Sequence, residues 1–256
     1  MSRGLRRFYV DQIFSREGDL LQLSLQETFH LHRVLRLKAG DACQIFNRVG
    51  MGAEASVQSI SETEGARLLL KKVFLLKQKG ISLKVAQALP QKKKMDELVG
   101  RAQELGVRQL WVMETKRTIV KMGTEAKEKA RKRWERIGVE AAKQSGSPVL
   151  TQIEGPVSFE KMINEKLSRE DQGFIFHPGS GGLTFAEMLN EMTQSHSAFL
   201  FFGPEGGFTD EEVQKAESKG VRKVFLGESI LRLETAFVGV ISALRLLTTN
   251  SIPSPF

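Results

Sequence analysis

The spacing of apolar positions changes character near residue 80. Before it, short stretches with the look of half-buried strands recur: RRFYV (6–10), ACQIFN (42–47), EASVQSI (54–60) and ARLLLKKVFLL (66–76). Turn pairs such as Gly18-Asp19 and Gly40-Asp41 separate several of them, and one short helix is predicted over 27–37. Several short strands with little helix imply a small barrel or sandwich. VGMGAEA (49–55) has the G-x-G-x-x-A spacing of a dinucleotide loop. Strand-like residues follow where a helix is required, so it reads as a hairpin turn.

Beyond residue 80 the rhythm is strand, helix, strand, helix. ISLKVAQAL (81–89) is a strand, and the helix after it carries Met95, Leu98, Val99, Ala102 and Leu105 at helical spacing, with Gly106 as its stop. VRQLWVM (107–113) is a strand, and a long basic helix follows over 124–144. Further strands are VLTQI (149–153), GFIFH (173–177), SAFLFFG (197–203) and VRKVFLG (221–227). Helices are predicted over 158–166, 184–194, 209–219 and 231–248, and the tail NSIPSPF (250–256) is irregular. The alternation implies an α/β domain with a mainly parallel sheet covered on both faces. The expected domains are 1–78 and 79–256.

Composition narrows the class. The chain has 256 residues, 41% hydrophobic and 27% charged, values ordinary for a globular protein with a substantial core. Its longest apolar runs are far too short to cross a bilayer. The start MSRGLRRFYV has no apolar core ahead of a cleavage site, and one cysteine, Cys43, excludes an internal disulfide framework. Both point to the cytoplasm and away from a membrane. Four scattered histidines and that cysteine make no zinc site, so no metal is expected. The net charge of +8 favours an anionic partner, nucleic acid first.

Two loops carry the candidate chemistry. FGPEGGFTDEE (202–212) ends an apolar strand, and Thr209 with Glu212 has capping-box spacing, so GPEGG joins a strand's carboxyl end to a helix. LGESILRLETA (226–236) does the same one helix and one strand later. In open α/β sheets ligands bind at the carboxyl ends of strands, where glycines let backbone approach closely. The P-loop pattern is absent, and a glutamate inside the turn argues against a phosphate cradle. A nucleoside-containing ligand held by backbone groups fits better; S-adenosylmethionine is one.

MDELVGRAQELGV (95–107), RIGVEAAKQSG (136–146) and these two loops resemble, in order and spacing, the 16S ribosomal RNA uridine-N3 methyltransferases of the SPOUT superfamily. RRFYV and HRVLRLKAGD (32–41) are similar to that family's N-terminal domain, and the resemblance spans nearly the whole chain. It implies a PUA-like RNA-binding β-barrel over 1–78. Over 79–256 it implies a SPOUT methyltransferase domain with a deep trefoil knot, acting as a homodimer on 16S ribosomal RNA or the small ribosomal subunit. One departure stands out: Ser147 and Pro148 follow Gly146 where the family usually has arginine, a role open to a neighbour such as Lys143.

The same resemblance sets the methyl donor against Gly203, Pro204, Glu205, Gly206 and Gly207 of the first loop, and Leu226, Gly227, Ile230 and Leu231 of the second. The strand end Phe176, His177, Pro178 forms another wall; a hydrogen-bonded structural role is the plainer reading of His177. N3 of uridine is a poor nucleophile until its proton leaves, so Arg232 is a candidate for stabilising the uracil anion. Glu205 and Glu234 are candidates for the base or for binding; alternatively Glu205 bonds its own loop and Glu234 favours a helix N-terminus. Arg6, Arg7, Arg33, Arg36, Lys38 and Lys93 are candidate RNA contacts, and Arg117 an RNA or partner contact. Trp134 reads as core or dimer interface. Two other classes stay open: a SPOUT enzyme acting on a ribose 2′-hydroxyl or another base, and a non-catalytic RNA-binding protein.

Overall fold

The computed structural model describes residues 6–77, 80–91, 94–147, 149–168, 171–179, 181–192 and 197–249. Lys93, Pro148 and the tail 250–256 lie outside them. The chain divides into two compact units, residues 1–78 with 142–150, and residues 79–141 with 151–256.

The first unit contains β1 (Arg7–Tyr9), β2 (Leu20–Gln22), α1 (Leu25–Phe29), β3 (Ala42–Phe46), β4 (Met51–Ser61) and β5 (Gly65–Leu75). The strands form one sheet in the order β1-β3-β4-β5-β2, antiparallel except for the β1–β3 pair. Alternate residues Cys43 and Ile45, Ala53, Ala55 and Val57, and Ala66, Leu68 and Leu70 point into one core with Phe8, Leu21 and Leu31. Asn47 closes the β3–β4 hairpin, its Oδ1 accepting from Met51 N at 2.9 Å, so VGMGAEA is a turn running into a strand. The helix continues through a π-helical turn, His30–Val34, and stops short of residue 37, because Arg36 adopts a left-handed φ of 57°. β2 was not anticipated: it is three residues long and buries only Leu21.

Arg7 fastens the segment 142–150 within this unit. Its guanidinium lies 4.6 Å from the centre of the Phe46 ring and donates to the carbonyls of Ala142 at 3.3 Å and Ser147 at 3.1 Å. Lys143 and Glu27 form a 2.9 Å ion pair whose side chains are both only 8% exposed.

The second unit contains β6 (Ser82–Ala88), α2 (Lys94–Glu104), β7 (Gln109–Glu114), α3 (Thr124–Ser145, its last turn assigned to the first unit) and β8 (Gln152–Ser158). Then come α4 (Phe159–Lys161, continued by a π-helical turn Met162–Lys166), β9 (Gln172–Phe176), β10 (Leu183–Thr184) and α5 (Phe185–Met192). The chain closes with β11 (Ser197–Phe202), α6 (Asp210–Glu217), β12 (Arg222–Phe225) and α7 (Leu233–Thr249). Among the described residues seven strands form a wholly parallel sheet in the order β10-β12-β9-β11-β6-β7-β8.

Strict alternation along nearly continuous apolar strands covers both faces. Leu83 and Val85, Leu110 and Val112, and Leu200 and Phe202 enter one core with residues of α2, α5 and α7. Ala86 and Ala88, Trp111 and Met113, and Phe199 and Phe201 enter another with Phe159, Met162, Val213 and Ala216. Trp134 is buried in the first of these, its Nε1 donating to Asp96 at 3.0 Å.

The predicted strand over 149–153 is displaced. Thr151 donates from Oγ1 to the Val107 carbonyl and accepts no ladder position, and β8 instead runs on through Gly155-Pro156. Proline is tolerated there because β8 is an edge strand, and a side chain at Gly155 would overlap the Val112 carbonyl. Among the described residues no helix is long and apolar enough to cross a membrane.

Candidate functional site

In the sheet, β9 lies between β12 and β11, so the loops leaving their carboxyl ends stand side by side. The order of strands reverses beside them, between β11 and β6, which is where a crevice opens in such sheets.

The loop after β11 is a turn folded hard on itself. Gly207 N donates to the Pro204 carbonyl at 2.8 Å, and Gly207 has φ +68°. A Cβ at Gly203 would stand 3.1 Å from Gly207 Cα, so the first glycine is held by crowding, and the last by its left-handed φ. The loop delivers the chain into α6 through a complete capping box: Glu212 N donates to Thr209 Oγ1, and Thr209 N to Glu212 Oε2. Glu212, buried, also accepts from Lys116 N at 2.8 Å. From the loop after β7, Arg117 Nη1 donates to the Gly206 carbonyl at 2.8 Å, and Gln87 Nε2 donates to that of Gly203 at 3.2 Å.

The loop after β12 runs from Leu226 to Arg232 and enters α7, with Gly227 at φ +104°. Glu234 lies in the first turn of α7, where the helix end favours an anion. Its carboxyl is held below the ordinary glutamate range, first by its hydrogen bond with Lys94. That ion pair is 2.7 Å long, and Lys94 also stands 3.4 Å from Glu205. Glu205 accepts from Gln91 N, outside its own loop.

After β9, His177 N donates to the Val224 carbonyl at 3.3 Å. Its ring is mostly buried, with Nε2 3.8 Å from Asp210 Oδ1 and Nδ1 without a partner among the described residues. Burial, then the nearby Lys223 charge, pushes its pKa down, so the imidazole is neutral at pH 7. The expected hydrogen-bonded structural role of this ring is not what the geometry provides.

Together these loops enclose a cavity of about 660 Å³. Phe176, His177, Pro178, Gly203, Pro204, Glu205, Gly206, Gly207, Leu226, Gly227, Ile230 and Leu231 all line it, as do Arg117, Arg232 and Glu234. Lys94, Phe202, Phe225, Ser229, Leu233 and Ala236 line it too and were missed. The two phenylalanines and Ala236 look like ordinary core in the sequence, and Lys94 sits inside a lysine run with nothing to distinguish it. Among the described residues no cluster of acidic, histidine or cysteine side chains could hold a metal ion.

Lys93 apart, which lies outside the described residues, the remaining candidate cations belong to the first unit. Arg6, Arg36 and Lys38 are exposed, and Arg33 is paired with Glu62. Arg7 is half-buried and committed to the clamp on Ser147, so its guanidinium is not free for phosphate. Lys143 is committed to Glu27.

The cavity has the size and character of a small-molecule site. Its lining is mostly apolar, while the buried His177 Nδ1 and Glu234 Oε2 lack partners among the described residues. S-adenosylmethionine, with an aromatic base, hydroxyls and a charged amino-acid end, offers partners to both an apolar lining and these polar atoms.

Comparisons with known proteins agree. An RNA methyltransferase domain family matches residues 77–245. A ribosomal RNA small subunit methyltransferase E of Aquifex aeolicus is 30% identical over 93% of this chain and 97% of its own. The protein of that name in Bacillus subtilis is 25% identical over 94% and 96%. A candidate methyltransferase of Legionella pneumophila, solved in complex with the bound cofactor SAM, is 27% identical with a TM-score of 0.84, over 95% of this chain and 98% of that one.

Proposed function

Because the chain belongs to the RNA methyltransferase family, and within it to the ribosomal RNA small subunit methyltransferase E group, we propose that it methylates N3 of a uridine in 16S ribosomal RNA, with S-adenosylmethionine as donor. The observation that carries this reading is the cavity formed where the GPEGG loop, the GESILRLE loop and the end of β9 meet.

When bound, the donor supplies an electrophilic methyl group on a sulfonium. The chain's residues bind and orient. Phe176, Phe202 and Ala236 offer an apolar wall, and Gly203–Gly207 and Leu226–Leu231 offer backbone groups at close range. Arg232 is exposed at this rim, and no side-chain hydrogen bond engages it among the described residues. Its guanidinium is therefore available to hold the anionic uracil oxygens as N3 loses its proton. Positioning the ring against the methyl group supplies the rest of the acceleration.

The finer assignments extend this reading. The first unit is taken as a PUA-like RNA-binding domain presenting Arg6, Arg36 and Lys38 to phosphates, and the second as a trefoil-knotted SPOUT domain. A homodimer is proposed because Leu246 and Leu247 of α7 are 66% and 52% exposed, an apolar pair that a second copy would cover. The protein is assigned to the cytoplasm, where ribosomal RNA is found.

The test is direct. The protein is incubated with S-adenosylmethionine and either unmodified small subunits or naked 16S RNA, and the RNA is digested and mapped by mass spectrometry. N3-methyluridine on either substrate is the expected product; a methyl on a ribose or another base, or none, overturns the assignment.

A further inference from the structure

Among the described residues three cations, Lys94, Arg117 and Arg232, line the cavity, and their surroundings differ. Arg232 makes no side-chain hydrogen bond among the described residues, and Arg117 donates to the Gly206 carbonyl. Lys94 is bound on two sides: its Nζ lies 2.7 Å from Glu234 Oε1 and 3.4 Å from Glu205 Oε1. Glu205 belongs to the loop after β11 and Glu234 to the first turn of α7, so one ammonium joins both walls of the cavity. Glu205 is secured further by Gln91 N, at 3.1 and 3.3 Å from its two oxygens.

The location of Lys94 is unfavourable by local rules. It is the first residue of α2, at the positive end of the helix dipole, where Asp96 and Glu97 are the residues the helix prefers. A cation there is explained by what it reaches. Its side chain is 33% exposed and those of the two glutamates 28% each, so the cluster is screened from water in part but not dry. The bond to this ammonium holds the Glu234 carboxyl below the ordinary glutamate range, and both oxygens of Glu205 are already engaged by Gln91 N.

We propose that Lys94 is a positioning residue that ties the Glu205 loop to the Glu234 loop, and that both carboxylates act as its anchors and not as the base that takes the substrate proton. The proposal rests on the methyl-transfer reading above. The reaction balances without either carboxylate. The N3 proton leaves to solvent hydroxide as water, N3 takes the methyl group, and the electron pair of the broken carbon–sulfur bond stays on sulfur as a neutral thioether. Arg232 holds the negative charge in between.

The experiment combines calorimetry with S-adenosylmethionine and single-turnover methylation of the small-subunit substrate at saturating donor. Lys94→Met is expected to weaken donor binding about tenfold or more, the loss falling on affinity and not on kcat, and Lys94→Arg is expected to recover most of it. Glu205→Gln and Glu234→Gln should likewise lose affinity more than turnover. If Lys94→Met does not fold by circular dichroism, the Lys94→Gln, Glu234→Gln and double variants form a cycle. A double variant no worse than either single one supports the tie, and additive losses overturn it. Unchanged donor affinity in Lys94→Met overturns the positioning role. A glutamine variant that loses more than about a hundredfold in kcat at unchanged affinity identifies that glutamate as the base and overturns the second half. Wild-type protein that binds no donor overturns the methyl-transfer reading and this proposal together. Binding without effect in the variants overturns the proposal alone.

Discussion

Arg117 Nη1 donates to the Gly206 carbonyl at 2.8 Å, and the Arg117 side chain packs along the face of Gly206 where a Cβ would stand 3.6 Å away. An arginine in the loop after β7 thus braces the glycine turn that forms one wall of the cavity. This contact separates two uses of the residue that its sequence position alone leaves open. Arg117→Ala is expected to weaken S-adenosylmethionine binding several-fold, the order of one lost charge-assisted bond on an exposed side chain, while the apparent KM for RNA moves less. Calorimetry and RNA-dependent kinetics distinguish the two. A change confined to RNA would return Arg117 to the substrate surface.

Arg232 should behave in the opposite way. Its exposed guanidinium makes no side-chain hydrogen bond among the described residues, so removing it leaves the walls intact. Arg232→Ala is expected to lower kcat by about 10² to 10³ while donor affinity stays within about threefold, as for loss of one preorganised charge stabiliser. Wild-type turnover in that variant would remove Arg232 from the reaction.

The GPEGG turn has no room at its first glycine. A Cβ on Gly203 would meet Gly207 Cα and carbonyl carbon at 3.1 Å and Phe208 N at 3.2 Å, all backbone atoms that cannot swing aside. Gly203→Ala is expected to open the turn and reduce donor binding more than it reduces the thermal stability of the domain. Parallel calorimetry and thermal melts check this.

The reciprocal pair of Thr209 and Glu212 gives a stability prediction. Thr209→Ala removes the acceptor for Glu212 N and should cost about 1 kcal/mol, seen as a shift in the denaturant midpoint at constant slope. Glu212→Ala should cost more, because the buried Glu212 carboxylate also accepts from Lys116 N. Equal losses would show that the link to the Lys116 segment contributes nothing.

Cys43 is fully buried in the first unit's core, and burial pushes its thiol pKa up to about 12. In native protein near neutral pH it should therefore resist alkylation, and react only after unfolding. A thiol-reagent assay with and without denaturant reads this directly. Rapid labelling of the native protein would place Cys43 outside that core.

The local pattern determined most of the architecture. SAFLFF, apolar on both faces after its first residue, and the alternating SLKVAQA, apolar on both faces towards its carboxyl end, required strands buried on two sides. The glycines after them required turns at strand ends. Thr209 and Glu212 sit three residues apart, so their capping box needed no distant partner to be legible. Short-range spacing of this kind is enough to set φ and ψ preferences and the direction in which side chains are buried.

What depended on distant partners was not legible. β8 passes through Gly155-Pro156, normally a break, and is tolerated only because it lies at the sheet edge. Arg7 looked like one more surface cation, yet its guanidinium closes on Ser147, far along the chain. Lys94 was one lysine in a run until the sheet order brought Glu205 and Glu234 to its ammonium. Sequence by itself determined most of the strands and helices and both glycine loops, since each of these follows from residues within a few positions of one another; β2, β10 and the register of β8 did not. Only the tertiary structure decided which charges meet at the cavity, because an ion pair depends on separation in space and strand order sets that separation.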